Sequence, residues 1–172
     1  MHVTNALIAV VAAFIVVSAG SSRAAAEQQT REVQPPRNIL FMCPHGAAKS
    51  VLASTYFQRL ARERGLNVRV TTAGTEPDAQ IVPAVASHLA GQGYDVPAAA
   101  PRQVTAEDLA RADLVISLGC DLSGLPKPRG TVRAWDDIPS PSANFTAADE
   151  AIRARVIALI DELAGQASLE KP

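Results

Sequence analysis

Residues 38–50 read Asn-Ile-Leu-Phe-Met-Cys-Pro-His-Gly-Ala-Ala-Lys-Ser. The apolar run Ile39–Met42, bounded by Pro36 and Pro44, predicts a fully buried strand over 38–42. The run ends on Cys43, a loop of small residues follows, and an amphipathic helical pattern opens at about Ser50. A thiol set between a strand end and a helix start faces backbone N–H groups and the positive end of a helix dipole, which favours a thiolate and attracts anions. Gly46, Ala47 and Ala48 suit a cradle, because small side chains let backbone N–H groups approach a ligand. With Pro44 and His45 they make up the candidate substrate-binding loop. Ser50 is placed to donate its hydroxyl to the Cys43 sulfur, and Lys49, six residues beyond the cysteine, supplies a cation.

Such a constellation suits attack on phosphorus. The thiolate needs an electrophile whose three outer oxygens are neutralised by N–H groups, a helix N-terminus and a cation. A general acid must then protonate the leaving oxygen. The competing reading of Cys43 is a buried structural thiol, which free cysteines often are. His45 is either an added cation and hydrogen-bond donor or a solvated loop residue.

Away from this segment, Ser50–Arg64 reads as a helix carrying Leu52, Tyr56, Phe57 and Leu60 on one face, with Gly65 as its stop. Asn67–Thr72 alternates and is rich in Val and Thr, so it predicts a second strand. Val82–Gly91 predicts a helix with Val85 and Leu89 turned inward. Thr105-Ala-Glu-Asp108 has the form of a capping box that starts a short helix through Arg111. Asp113–Leu118 reads as a third buried strand and Thr131–Trp135 as a fourth. Thr146-Ala-Ala-Asp149 is expected to open the last helix, with Ile152, Val156, Leu159, Ile160 and Leu163 along one stripe. Strands alternating with helices imply parallel pairing through right-handed crossovers. In a doubly wound sheet of this kind ligands sit beyond the carboxyl ends of the strands, which is where Cys43 falls.

The chain of 172 residues has room for one domain with a sizeable core, and 48% hydrophobic with 19% charged residues fits a soluble globular class. A net charge of −1, no basic run and 4% aromatic residues exclude a nucleic-acid-binding class. Two cysteines, Cys43 and Cys120, cannot make a disulfide framework or a zinc site, and His2, His45 and His88 show no ligand spacing, so neither a metal nor a cofactor is expected. The first 22 residues carry no Asp, Glu, Lys or Arg, and Ala6–Val17 is an apolar run of signal-peptide length, short for a membrane span. Small residues at Val17-Ser18-Ala19 and Ala24-Ala25-Ala26 offer cleavage sites. The expected division is therefore a signal peptide or N-terminal anchor over 1–26, a linker over 27–37 and a domain over 38–168. Export, most simply to a periplasm, is the expected localisation; a membrane-held protein is the alternative if the segment is not cleaved. Nothing in the sequence speaks to oligomeric state.

The stretch Asn38–Leu60 resembles the phosphate-binding loop and first helix of the low-molecular-weight protein tyrosine phosphatase family, which includes thioredoxin-coupled arsenate reductases. Thr71-Thr72-Ala73-Gly74-Thr75, Pro101–Asp108 and Ala112–Ser117 are similar to further segments of that family, in the same order. The resemblance implies an α/β, three-layer domain with a four-stranded parallel sheet of flavodoxin-like order 2-1-3-4. It also implies phosphomonoester hydrolysis through a Cys43 phosphocysteine, with a phosphorylated substrate or an inorganic oxyanion as partner. The departures fall on the chemistry. The family's Arg is Lys49 here, and an ammonium offers one mobile point charge in place of a planar fork. The family's Asp-before-Pro general acid maps to Ser140 when Pro139-Ser140-Pro141 is matched, and to Asp136 or Asp137 when Trp135 is matched; Asp137 is the preferred choice. Cys120 lies near the position of a relay cysteine in arsenate reductases, but no further cysteine follows it. It is either a disulfide partner for Cys43 or a buried free thiol. These departures leave three readings in order: a weakened phosphatase, an inactive oxyanion- or phosphopeptide-binding module, and an arsenate reductase-like enzyme.

Overall fold

The computed structural model describes residues 35–169. The expected export segment and all but the last residues of the linker lie outside the described residues.

β1 (Arg37–Cys43) is buried from Ile39 onward. It lacks polar alternation because both of its faces are covered, as in parallel sheets generally. Ile39, Phe41 and Cys43 belong to the larger core, while Leu40 and Met42 belong to a second one on the opposite face. β1 pairs in parallel with β2 (Val68–Gly74) along its whole length, from Arg37 opposite Val68 to Cys43 opposite Gly74. On its other edge it pairs with β3 (Leu114–Ser117), which in turn pairs with β4 (Thr131–Ala134). All pairings are parallel and the order is β2-β1-β3-β4, as expected.

The helices α1 (Lys49–Glu63), α2 (Pro83–Gly91), α3 (Ala106–Arg111) and α4 (Phe145–Leu169) complete the layers. Leu52, Tyr56 and Phe57 of α1, Val85 and Leu89 of α2 and the predicted stripe of α4 share the larger core with Phe41 and Trp135. Phe41 stacks obliquely on Phe57 at 5.4 Å and edge-on to Trp135 at 6.2 Å. Leu109 and Ala112 cover the other face around Leu40, Met42 and Val115. None of the described helices is long and apolar enough to cross a membrane.

Two helix starts contrast. The Thr105 capping box forms as predicted: Asp108 N–H donates to Thr105 Oγ1 at 3.1 Å and Thr105 N–H donates to Asp108 Oδ2 at 2.9 Å. The Thr146–Asp149 box does not. Helix α4 begins at Phe145, and the Asn144 side chain accepts from Ala147 N–H at 3.1 Å. Asp149 is drawn instead into a buried network. Tyr56 O–H and Arg153 Nε–H donate to its carboxylate, and His88 Nε2 lies 3.2 Å from it. Burial alone would raise the Asp149 pKa, but the bonds from Tyr56 and Arg153 hold it below the usual carboxylate value. This network ties α1, α2 and α4 together. Tyr94 joins it by packing edge-on against Tyr56 at 5.0 Å.

Candidate active site

β1 delivers Cys43 to the carboxyl edge of the sheet with 3% of its surface exposed. Its Sγ lies 3.1 Å from Ser50 Oγ and 3.5 Å from the Ser50 backbone nitrogen, and Ser50 is fully buried. The Ser50 N–H donates to the sulfur, and the Ser50 hydroxyl shares a hydrogen bond with it, so the first turn of α1 addresses the thiol twice. The helix start carries no side-chain cap: Ala48 holds the N-cap position, where Ser, Thr, Asp or Asn would normally satisfy the free N–H groups. An uncapped start beside a thiol is suited to an external anion.

The loop between them is held from behind by the chain that follows β2. Glu76 N–H donates to Pro44 O at 2.8 Å, Asp78 N–H to His45 O at 3.0 Å and Val82 N–H to Ala47 O at 3.1 Å. In a trans peptide the N–H opposes its carbonyl, so the N–H groups of His45 and Ala48 face away from that support. Gly46 sits at φ +61° and its N–H donates to Cys43 O at 3.2 Å, closing the turn. Gly74 lies directly under the loop. A methyl group there would come within 2.7 Å of Pro44 O and 2.8 Å of Gly46 N.

Lys49, the first residue of α1, extends toward the loop after β3. A Cβ on Gly119 would lie 3.3 Å from its Nζ. The Gly119 N–H donates to Asp136 Oδ1 at 3.2 Å. Cys120 shares this neighbourhood: burial pushes its thiol up to about 11, the charge of Cys43 adds to the rise, and Lys49 opposes it. Both cysteines are free thiols.

A cavity of about 440 Å³ opens on the cradle. Cys43, Pro44, His45, Ala47, Ala48 and Lys49 all reach it. Val82, Pro141 and Phe145 give it an apolar wall, and Ser140 and Asp78 line it as well. Gly46 and Ser50 are not part of this lining. The expected acids Asp136 and Asp137 do not line it either. Asp137 is turned toward α4, where Arg155 donates to it at 2.5 Å, and Asp136 is engaged by Gly119. From the turn that follows Trp135, it is Ser140 that faces the cavity. Asp78 and Phe145 were not singled out by sequence reasoning. His45 Nδ1 lies 3.4 Å from Asp78 Oδ1, but 33 positions along the chain carry no spacing signal for that meeting. Among the described residues, no group of three or more His, Cys, Asp or Glu is placed to hold a metal ion.

Residues 38–125 match the family model of the low molecular weight phosphotyrosine protein phosphatases. The chain belongs to this family. A curated relative from Halobacterium salinarum, named "Putative arsenate reductase", is 27% identical over 127 residues, covering 71% of this chain and 89% of that protein. The solved thioredoxin-dependent arsenate reductase Cg_ArsC1' of Corynebacterium glutamicum superposes with a TM-score of 0.65 at 27% identity, covering 76% of this chain and 63% of its own. A YwlE mutant from Bacillus subtilis shares the fold with a TM-score of 0.64 at 22% identity, covering 77% of this chain and 99% of its own. The phosphatase family thus has phosphatases and arsenate reductases among this chain's relatives. The matched span holds Cys43, the cradle, Gly74 and Cys120, whereas Trp135–Pro141 and α4 lie beyond it.

Proposed function

We propose that this family member hydrolyses phosphomonoesters, aryl phosphates such as protein phosphotyrosine included, through a phosphocysteine on Cys43. The observation that carries the reading is the Cys43 sulfur, 3.1 Å from Ser50 Oγ at an uncapped helix start, opening on the cavity that Lys49 also lines. In this reaction the thiolate attacks phosphorus, the S–P bond forms, and the bond to the leaving oxygen breaks. Water then attacks phosphorus, and the electron pair of the S–P bond returns to sulfur. The N–H groups of the cradle and the Lys49 ammonium balance the charge on the three outer oxygens. The walls formed by Val82, Pro141 and Phe145 suit an aromatic or aliphatic leaving group.

Turnover is expected to be slow. A single oxyanion donor contributes about 2.7–4 kcal/mol, and one ammonium recovers only part of what a bidentate guanidinium provides. Cys43→Ser should abolish hydrolysis of an aryl phosphate, and Lys49→Arg should raise it about tenfold or more. Steady-state release of the phenol measures both. An inert wild type that gains nothing from Lys49→Arg rules the proposal out.

Lys49 and Ser140 favour a second reading, an oxyanion- or phosphopeptide-binding module without turnover. Calorimetry with phosphate or sulfate would then show binding, with no hydrolysis. Arsenate reduction is the third reading, supported by the names of the 27% identical relatives. It asks Cys120 to act as a nucleophile, which a thiol raised to about 11 does poorly at neutral pH. Thiol-dependent arsenite release lost in Cys120→Ser would favour it.

A further inference from the structure

Breaking a phosphorus–oxygen bond leaves an anionic oxygen, and a weakly acidic alcohol leaves slowly unless a proton reaches it in the same step. Among the groups that line the cavity, few can provide one. Ser140 is too weak an acid. In the phosphatase reading Cys43 is the nucleophile and Lys49, whose Nζ lies near Gly119, is the cation assigned to the outer oxygens. Asp136 and Asp137 are held elsewhere, by Gly119 N–H and Arg155. His45 and Asp78 remain. Both line the cavity, both are accessible to solvent, and they face one another at 3.4 Å between Nδ1 and Oδ1.

We propose that the His45–Asp78 pair is the proton donor to the leaving group, with Nε2 of His45 as the donating atom and Asp78 as its positioning partner. This rests on the phosphatase reading of the same site. Asp78 lies in the chain that follows β2, and its N–H donates to His45 O at 3.0 Å, so the two residues are tied to one another through backbone as well as side chain. A carboxylate beside Nδ1 engages that nitrogen's N–H and orients the ring, so the Nε2–H of the imidazolium is the proton that can face a leaving oxygen.

In the first step the Cys43 thiolate forms the S–P bond, the P–O bond to the leaving group breaks, and its electron pair takes the proton from His45 Nε2. The imidazole is left neutral. In the second step it accepts a proton from the attacking water as the P–O bond forms, and the S–P pair returns to Cys43. The proton, the thiolate and the imidazolium are all restored, and the products are the alcohol and inorganic phosphate.

The test compares two substrates on the full chain: p-nitrophenyl phosphate, whose phenol leaves readily, and phenyl phosphate, whose phenol needs protonation. General acid catalysis is worth about 10²–10⁴-fold. In His45→Ala, kcat/KM for phenyl phosphate should fall at least about 10²-fold further than that for p-nitrophenyl phosphate. Asp78→Asn should shift the ratio in the same direction by less, and the double variant should match His45→Ala. Equal losses on the two substrates in His45→Ala would overturn the proposal while leaving the phosphatase reading intact. A larger selective loss in Asp78→Asn than in His45→Ala would overturn it too, by making the carboxyl group the donor. If wild type and Lys49→Arg turn over neither substrate, the phosphatase reading falls and the donor assignment with it.

Discussion

At Gly74 the last residue of β2 meets the backbone of the cradle, with no room for a side chain between them. Backbone cannot retreat as a flexible side chain can, so Gly74→Ala forces the loop itself to move. Overpacking of this kind costs about 1–3 kcal/mol. Urea unfolding of Gly74→Ala should show that loss, and calorimetry should show phosphate binding weakened together with it. A variant that loses stability but binds phosphate normally would mean that the loop relocates without changing its N–H array. Residues 43–50 are nominated by sequence alone because they form one contiguous loop, in which each residue's neighbours are its chemistry. Asp78 was not legible, because it meets His45 only through the path of the chain after β2. Asp137 shows the converse, since it lies outside the cavity lining. Its proximity to Trp135 in the chain says nothing of the direction in which Arg155 draws it.

The helix starts carry their own expectations. Asn144 caps α4 while Thr146 is exposed within the first turn. Asn144→Ala should therefore cost about 1 kcal/mol, and Thr146→Ala should stay within about 0.5 kcal/mol, both by chemical denaturation. Sequence reading favoured Thr146 because Ser/Thr-x-x-Asp is a common start signal. Asp149 was instead claimed by Tyr56, Arg153 and His88, which the local pattern cannot reveal. At α3 the local pattern prevailed. Arg102 donates twice to the Asp108 carboxylate, at 2.6 and 2.8 Å, while Thr105 completes the cap. The hydrogen bonds from Arg102 first, with those from Thr105, hold Asp108 down at about 2, against an ordinary value of 3.8. A carboxyl lowered on folding stabilises the folded state above its unfolded pKa and loses that contribution as pH falls through the folded one. The stability gap between wild type and Asp108→Asn should therefore be full at neutral pH and shrink from 3.8 down to about 2. Urea midpoints across that range measure it. A gap that grows in acid would contradict this assignment of the charge.

For the whole molecule, the expected strand order is the observed one, and it places Cys43 at the mouth of the sheet. The predicted leader yields a separate expectation. Expressed with residues 1–26 in a Gram-negative host, the protein should be recovered outside the cytoplasm and shortened after Ala19 or Ala26, as N-terminal sequencing would read. Full-length protein in the membrane fraction would indicate an uncleaved anchor. The amino-acid sequence alone determined the class of sheet, the position of the thiol and the small-residue cradle, because each follows from local hydrophobic pattern and from chemistry contained within one loop. Tertiary structure decided which acids reach the cavity, the direction of Lys49 and the pairing of His45 with Asp78. Those depend on where crossovers bring distant segments, and on competition for each charged group among partners far apart in the chain. The segment 38–50 carries the thiol and the small-residue loop around it, while the charged groups that surround them come from the rest of the fold.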